Sequence, residues 1–324
     1  MKRVFLFLLG AIFFVSITGC QRARKSGFDK DGNLQGRISI SGAWAMYPLV
    51  VRWAEEFRKL HPNVQIDISA GGAGKGMADV LNNMVDLAMV SREINPDEIA
   101  QNAWFVAAAK DAVVPTFNTT NPNKEALLSQ GLTRSQFQRI FLEEGTKDWS
   151  QFLPTGMGSL NVYTRSDASG AAETWAQFLG MAQEDLLGIG VFGDPGIADI
   201  VRNDVAGVGF NNIAFAYDIK TGLPFEGLGV IPIDLNEDGK INPEESFYGS
   251  LAEVMNAIAV GKFPSPPARN LYFVSHGEPT NVAVIEFLLW VMEHGQKYAP
   301  EAGYVAISAE TIHQNLEMIP AAVE

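Results

Sequence analysis

Three times along this chain a short alternating run of apolar residues leads into a turn of small residues and then into a stretch with helical spacing. That recurring order limits the fold more than any other feature. Ile38–Ser41 alternates as a half-buried strand does. After Gly42-Ala43, the residues Leu49, Val50, Trp53, Phe57 and Leu60 fall on one helical face until Pro62 ends the pattern. Val64–Ile68 alternates again, passes through Ala70-Gly71-Gly72-Ala73-Gly74-Lys75-Gly76, and Met77, Val80, Leu81 and Met84 mark a second helix. Leu160–Thr164, the turn Arg165-Ser166-Asp167-Ala168-Ser169-Gly170, and Trp175, Phe178 and Leu179 repeat the plan. Strand, turn and helix in this order build doubly wound α/β sheets. With 324 residues, 47% of them apolar, the chain can bury one large or two medium domains of that class.

Each turn delivers the chain to a helix N-terminus, where unpaired N–H groups and the positive end of the dipole favour an anion. Two readings of the turns stand: termini that converge on an anion, or ordinary connections in a doubly wound sheet. Nucleotide binding has no support, because none of the turns follows G-x-G-x-x-G and Gly71-Gly72-Ala73-Gly74-Lys75-Gly76 lacks the Lys-Ser/Thr of a P-loop. Nucleic acid is disfavoured too: 24 basic residues against 37 acidic ones give a net charge of −13, with no basic run interleaved with aromatics. A single cysteine closes no intrachain disulfide, and His61, His276, His294 and His313 are too scattered for a zinc site.

The cysteine has another use. Lys2 and Arg3 precede an apolar run, Val4–Val15, that is too short for a membrane span and reads as a signal peptide over residues 1–19. It ends in Ser16-Ile17-Thr18-Gly19-Cys20, which resembles the lipobox of bacterial lipoproteins; Cys20 is then the lipidated residue that anchors the chain to a membrane. The alternative is a secreted protein with a spare cysteine. Cleavage removes Lys2 and Arg3 and no acid, taking the net charge from −13 to −15. Residues 20–36 are polar and contain glycine without periodicity, as in a solvated tether, and the folded part is expected from Arg37.

Further pieces fall in a recognisable order: Ile40-Ser41-Gly42 with Tyr47-Pro48-Leu49, Val85-Asp86-Leu87-Ala88-Met89-Val90-Ser91-Arg92, Lys110-Asp111-Ala112-Val113, Leu132-Thr133, Gly207-Val208-Gly209-Phe210, Pro267-Ala268-Arg269-Asn270 and Gly303-Tyr304-Val305. In this order, with the three turns, the chain resembles the phosphate-binding subunit of bacterial phosphate ABC transporters, a type II periplasmic binding protein family. The resemblance covers nearly everything after the tether. It implies two doubly wound α/β lobes joined by two chain crossings, lobe one being 37–117 with 262–324 and lobe two 118–261. It implies an oxyanion held between them by backbone N–H groups, hydroxyls and one arginine. Carried onto this sequence, the ligand positions are Ala45 and Met46, Gly72 and Ala73, Ser91 and Arg92, Arg165, and Ser169, Gly170 and Ala171. Asp167 would orient Arg165, or the two would form a plain ion pair.

The chain departs from the family at several of these positions. Ala43, Trp44 and Ala45 stand where the family commonly has Ser and Thr, Gly72 or Ala73 replaces a donor serine, and Ala171 replaces a threonine. Each hydroxyl lost to a charged ligand costs roughly 1.5–3 kcal/mol unless water or backbone replaces it. Ser91-Arg92 replaces the aspartate by which some members read a protonated oxygen. Arg92 is either a second ligand or a structural ion pair, and Trp44 and Tyr47 either cap the cleft or belong to a core.

One motif stands apart. Residues 234–245 place Asp234, Asn236 and Asp238 at positions 1, 3 and 5 of a calcium loop, with Gly239 at 6, the Lys240 carbonyl at 7 and Glu245 at 12. The expectation is a structural calcium ion, against an acidic solvated turn; no other cofactor is required. No G-x-S-x-G elbow, nearby histidine or paired metal ligands support a hydrolase using Ser91 or Ser169. The expected function is a non-enzymatic, extracytoplasmic, lipid-anchored protein that captures phosphate or a related tetrahedral oxyanion for an ABC permease. The alternative is a surface or signalling lipoprotein that kept the fold and binds another ligand or none.

Overall fold

The computed structural model describes residues 26–321, so the expected signal peptide and the Cys20 anchor lie outside the described residues. The chain enters through β1 (Gly27–Phe28), β2 (Leu34–Gly42), α1 (Tyr47–Leu60), β3 (Asn63–Ala70), α2 (Ala73–Leu81), β4 (Leu87–Val90) and α3 (Pro96–Ala100), then runs into the long β5 (Ala103–Asn118). β2 pairs in parallel with β3 and β4. All four residues of β4 are buried, as expected of an interior strand covered on both faces; it pairs in parallel with β2 and antiparallel with β13. α1 has Pro48 in its first turn, buries Leu49, Val50, Trp53, Ala54 and Phe57, and ends in Arg58 and Lys59, which suit the negative end of its dipole. α2 is shorter than its apolar pattern implies. Asn83 takes a left-handed conformation (φ 54°) that ends it, and Met84, expected on the buried face, is 72% exposed.

The next stretch contains α4 (Lys124–Gln130), β6 (Leu132–Thr133), α5 (Arg134–Leu142), β7 (Lys147–Asp148), β8 (Ser159–Arg165), α6 (Gly170–Leu179), β9 (Ile189–Val191), α7 (Gly193–Asn203), β10 (Gly207–Asn212), α8 (Ile213–Ala216), β11 (Leu228–Val230), β12 (Ile233–Asp234) and α9 (Leu251–Ala259). β8 lies parallel to β9 and β10. The chain returns through β13 (Ala268–His276) and closes with α10 (Val282–Glu293), α11 (Tyr298–Glu301) and α12 (Ala309–Met318).

Side chains pack into two cores. One centres on Trp53, Phe57, Phe273 and Phe287, the other on Trp175 with Phe137, Phe141, Phe178 and Phe210. β5 and β13 pair antiparallel and pass through both. β5 gives Val106, Ala108 and Ala109 to the first core and Ala112, Val113 and Phe117 to the second. β13 gives Ala268 to the second core and Leu271 to Val274 to the first. The changeover therefore falls near Lys110 and Arg269, rather than at the expected 117 and 262. It lies inside continuous strands, where no turn residue marks it. The sheet also begins ahead of Arg37: β1 pairs with the start of β2, and the Ser26 hydroxyl accepts the Ala283 N–H at 3.0 Å. The polar turn between these strands hides them from a reading based on periodicity.

Candidate functional site

β2, β3 and β8 each end in a turn that starts α1, α2 or α6, and the turns meet. The Gly42 carbonyl accepts the N–H groups of Gly71 and Gly72 at 2.9 and 3.0 Å, joining the first turn to the second. The Gly74 N–H donates to the Ala168 carbonyl at 3.0 Å, joining the second turn to the third across the two cores. Glycine is needed at these contacts. Gly72 has φ 99°, and a Cβ there would stand 2.8 Å from the Ala168 carbonyl oxygen and from Asp167 Oδ2. A Cβ on Gly170 would collide with Ser91 Oγ and with the Ser91 carbonyl.

Several donors at this junction have no acceptor among the described residues: the backbone N–H groups of Trp44, Ala45, Ala73 and Gly170, and the buried hydroxyl of Ser91. Ala73 and Gly170 are the first residues of α2 and α6, where the helix itself leaves N–H groups without partners. Ser169 caps α6, its Oγ accepting from Ala171 N at 3.1 Å and Ala172 N at 3.3 Å, which leaves the hydroxyl hydrogen to donate elsewhere. The other expected ligand positions spend their donors on structure. Met46 N donates to the Ala43 carbonyl, Gly72 N to the Gly42 carbonyl and Ala171 N to Ser169. Arg92 grips Glu98 with two bonds of 2.6 and 2.9 Å and also donates to the Glu93 carbonyl, the ion-pair arrangement. Burial pushes the Glu98 carboxyl up, but Arg92 outweighs it and holds the group below the usual glutamate range.

Arg165 is almost wholly enclosed, its side chain 1% exposed. It donates from Nε and Nη2 to Asp167 at 2.8 and 2.6 Å, and from Nη1 to Asp194 Oδ2 at 2.7 Å. Burial disfavours the cation; Asp194 and Asp167 more than offset this, so Arg165 stays charged with two of its five N–H groups uncommitted. Asp194, at the start of α7, went unread in the sequence because nothing local links it to Arg165. Its Oδ1 accepts the Asn212 N–H at 3.1 Å. Asp111 and Arg269 form a second buried pair at 2.8 Å where the two crossing strands meet. Burial raises the Asp111 carboxyl above its usual range, against the pull of Arg269. With every group ionised, the junction holds three carboxylates against two guanidinium groups. Binding an anion here therefore depends on local N–H dipoles rather than net charge.

At the edge of this junction Trp44 reaches from the first turn to the start of α7. It stands edge-on to Phe192, with ring centroids 6.1 Å apart and planes at 89°. Tyr47 packs partly buried against the first core.

In the acidic loop the side-chain oxygens close on the backbone. Asp234 accepts the N–H groups of Glu237 and Gly239, Asn236 that of Asp238, and Asp238 that of Lys240, while Glu245 accepts those of Leu235, Asn236 and Asn242. Among the described residues no group of three acidic, histidine or cysteine side chains is arranged to hold a metal ion. The oxygen spacing that suggests calcium closes side-chain-to-backbone turns that need no metal ion to form.

Residues 29–294 match the model of the PBP superfamily domain. Curated relatives include the phosphate-binding protein PstS of Bacillus subtilis, 26% identical over 70% of this chain and 76% of the relative. PstS of Methanocaldococcus jannaschii is 24% identical over 98% of this chain and 95% of the relative. Among solved structures, an ABC-type phosphate transport receptor from Vibrio cholerae superposes with a TM-score of 0.60 at 20% identity, covering 83% of this chain and all of that one, a likeness of fold. With two α/β cores, two continuous crossing strands and this match over most of its length, the chain belongs to the PBP superfamily and has the type II periplasmic binding protein fold.

Proposed function

We propose that this protein captures phosphate, or a related tetrahedral oxyanion, between its two cores and delivers it to an ABC permease from the extracytoplasmic side of a bacterial membrane, to which Cys20 anchors it. One observation carries the reading: the N–H groups of Ala45, in the turn ahead of α1, and of Ala73 and Gly170, the first residues of α2 and α6, come from three meeting turns of both cores and have no acceptor among the described residues. The Ser91 and Ser169 hydroxyls and the uncommitted N–H groups of Arg165 complete a donor set suited to a small anion. The relatives carry the names of phosphate-binding proteins and a phosphate transport receptor, which points the same way, and the reading assigns no catalytic residue.

A second reading, a protein that kept the fold and binds another ligand or none, draws on the carboxylates that occupy Arg165 and on the absence of hydroxyls at Ala43, Ala45 and Ala171. Titration calorimetry with phosphate, sulfate, molybdate and small phosphonates separates the two. Saturable one-site heat with phosphate is the expected result; silence toward every oxyanion sinks the first reading.

A further inference from the structure

We infer that Arg269, on the crossing strand β13, is the positioning residue that sets the anion-binding turn of α6 and, through a chain of buried polar groups, the orientation of Arg165. The inference rests on the oxyanion reading above. A guanidinium has five N–H groups in a fixed plane, and Arg269 has five acceptors within reach. Nε donates to Asp111 Oδ1 at 2.8 Å and Nη2 to Asp111 Oδ2 at 3.2 Å. Nη1 donates to the Gly170 carbonyl at 2.6 Å and to Thr174 Oγ1 at 3.1 Å, and Nη2 also donates to Asn212 Oδ1. These acceptors belong to β5, α6 and β10, and Arg269, Asp111, Thr174 and Asn212 are all buried. One residue thus ties both crossing strands to the first turn of the helix whose Gly170 N–H has no acceptor among the described residues.

The same guanidinium reaches Arg165 indirectly. Asn212, held by Arg269 through its side chain, donates its own N–H to Asp194 Oδ1, and Asp194 Oδ2 receives Arg165 Nη1. Asp167 closes the far end of the series. No gap interrupts the path from Asp111 through Arg269, Asn212, Asp194 and Arg165 to Asp167. Losing Arg269 therefore disturbs two sources of anion donors, the α6 terminus and Arg165, though it need not touch the anion. Lysine at this position keeps the charge but offers three donors about a tetrahedral nitrogen, which cannot serve five acceptors spread over three elements.

The test compares wild type with Arg269→Lys, Thr174→Val and Thr174→Ser, by phosphate calorimetry and by amide hydrogen exchange of residues 169–179 without phosphate. Arg269→Lys is expected to raise the phosphate Kd at least about tenfold and to speed exchange in the first turn of α6. Thr174→Val, which removes one acceptor from a fold otherwise intact, is expected to weaken binding about two- to fivefold, and Thr174→Ser to restore it. A purely structural role would lower the melting temperature of Arg269→Lys while leaving Kd and local exchange as in wild type, and that result overturns the inference. So does wild-type binding and exchange in Thr174→Val if Arg269→Lys fails to fold. If the wild type ignores phosphate yet exchange in α6 still rises in Arg269→Lys, the oxyanion reading falls and the positioning role stands.

Discussion

Gly170 backs onto Ser91 so closely that no side chain can stand between them: a Cβ would strike both the Ser91 hydroxyl and its carbonyl. One residue starts α6 in the second core and the other follows β4 in the first, so the pair marks how tightly the two halves close. Gly170→Ala should prop the halves apart and weaken phosphate binding by about tenfold or more, each factor of ten being roughly 1.4 kcal/mol. Small-angle scattering would detect the opening as a larger radius of gyration with phosphate present. A variant as compact and as tight-binding as wild type contradicts the closed site.

Arg165→Ala removes the donor fork and leaves Asp167 and Asp194 facing each other without a cation. Breaking a buried pair in this way costs about 3–5 kcal/mol of stability. Phosphate affinity should fall by roughly tenfold to a hundredfold, as expected for losing one or two charge-assisted hydrogen bonds. Urea unfolding measures the first effect and calorimetry the second. Undiminished affinity would remove Arg165 from the site.

The pair of Arg92 and Glu98 predicts an acid limb. Glu98 is an acid whose folded-state pKa is held below its ordinary 4.5, burial being outweighed by Arg92, so its contribution is present above that value. It is lost as pH falls through the folded value. Glu98→Gln should melt below wild type at neutral pH, with the gap closing as the pH falls through the folded value. A constant gap across melting curves from neutral to acid pH argues against the assignment.

In the loop of residues 234–245 the oxygens already accept backbone N–H groups, so calcium should add nothing: melting curves in millimolar calcium and in chelator are expected to coincide. Asp234→Ala, by contrast, strips acceptors from Glu237 and Gly239 and should destabilise the fold by about 2 kcal/mol. A calcium-dependent rise in melting temperature would restore the metal reading.

What the sequence made legible was local. The three strand-turn-helix units are short stretches, Leu34 to Leu60, Asn63 to Leu81 and Ser159 to Leu179, whose apolar periodicity changes from two to between three and four, and β2 with α1, β3 with α2 and β8 with α6 follow that signal. The resemblance placed the turns in order, and the glycines at positions 72 and 170 proved to be points of contact. The polar wiring was not legible, because its partners are distant in the chain. Arg269 meets Asp111 across 158 residues and Gly170 across 99. No pattern within a short window encodes such a meeting. The calcium expectation is left without support for a different reason. Oxygen-bearing side chains at alternate positions suit a hard cation and a self-closing turn equally, and only the direction of the side chains tells the two apart. Arg92 stood open between ligand and ion pair; Glu98, six residues on, engages it in a way that neither residue alone announces.

β13 lies between β4 and β5 in the sheet, although the chain reaches it only after nearly all of the second core. On the ribosome, then, the first core waits with a gap at its centre until residue 276 has emerged, while β4 and β5 present unpaired edges. The second core can condense earlier around β8 and β10. Folding of this chain is thus gated by its C-terminal sixth: truncations that stop before Ala268 should leave a half-built sheet exposed to chaperones and proteases, however well the preceding residues have packed.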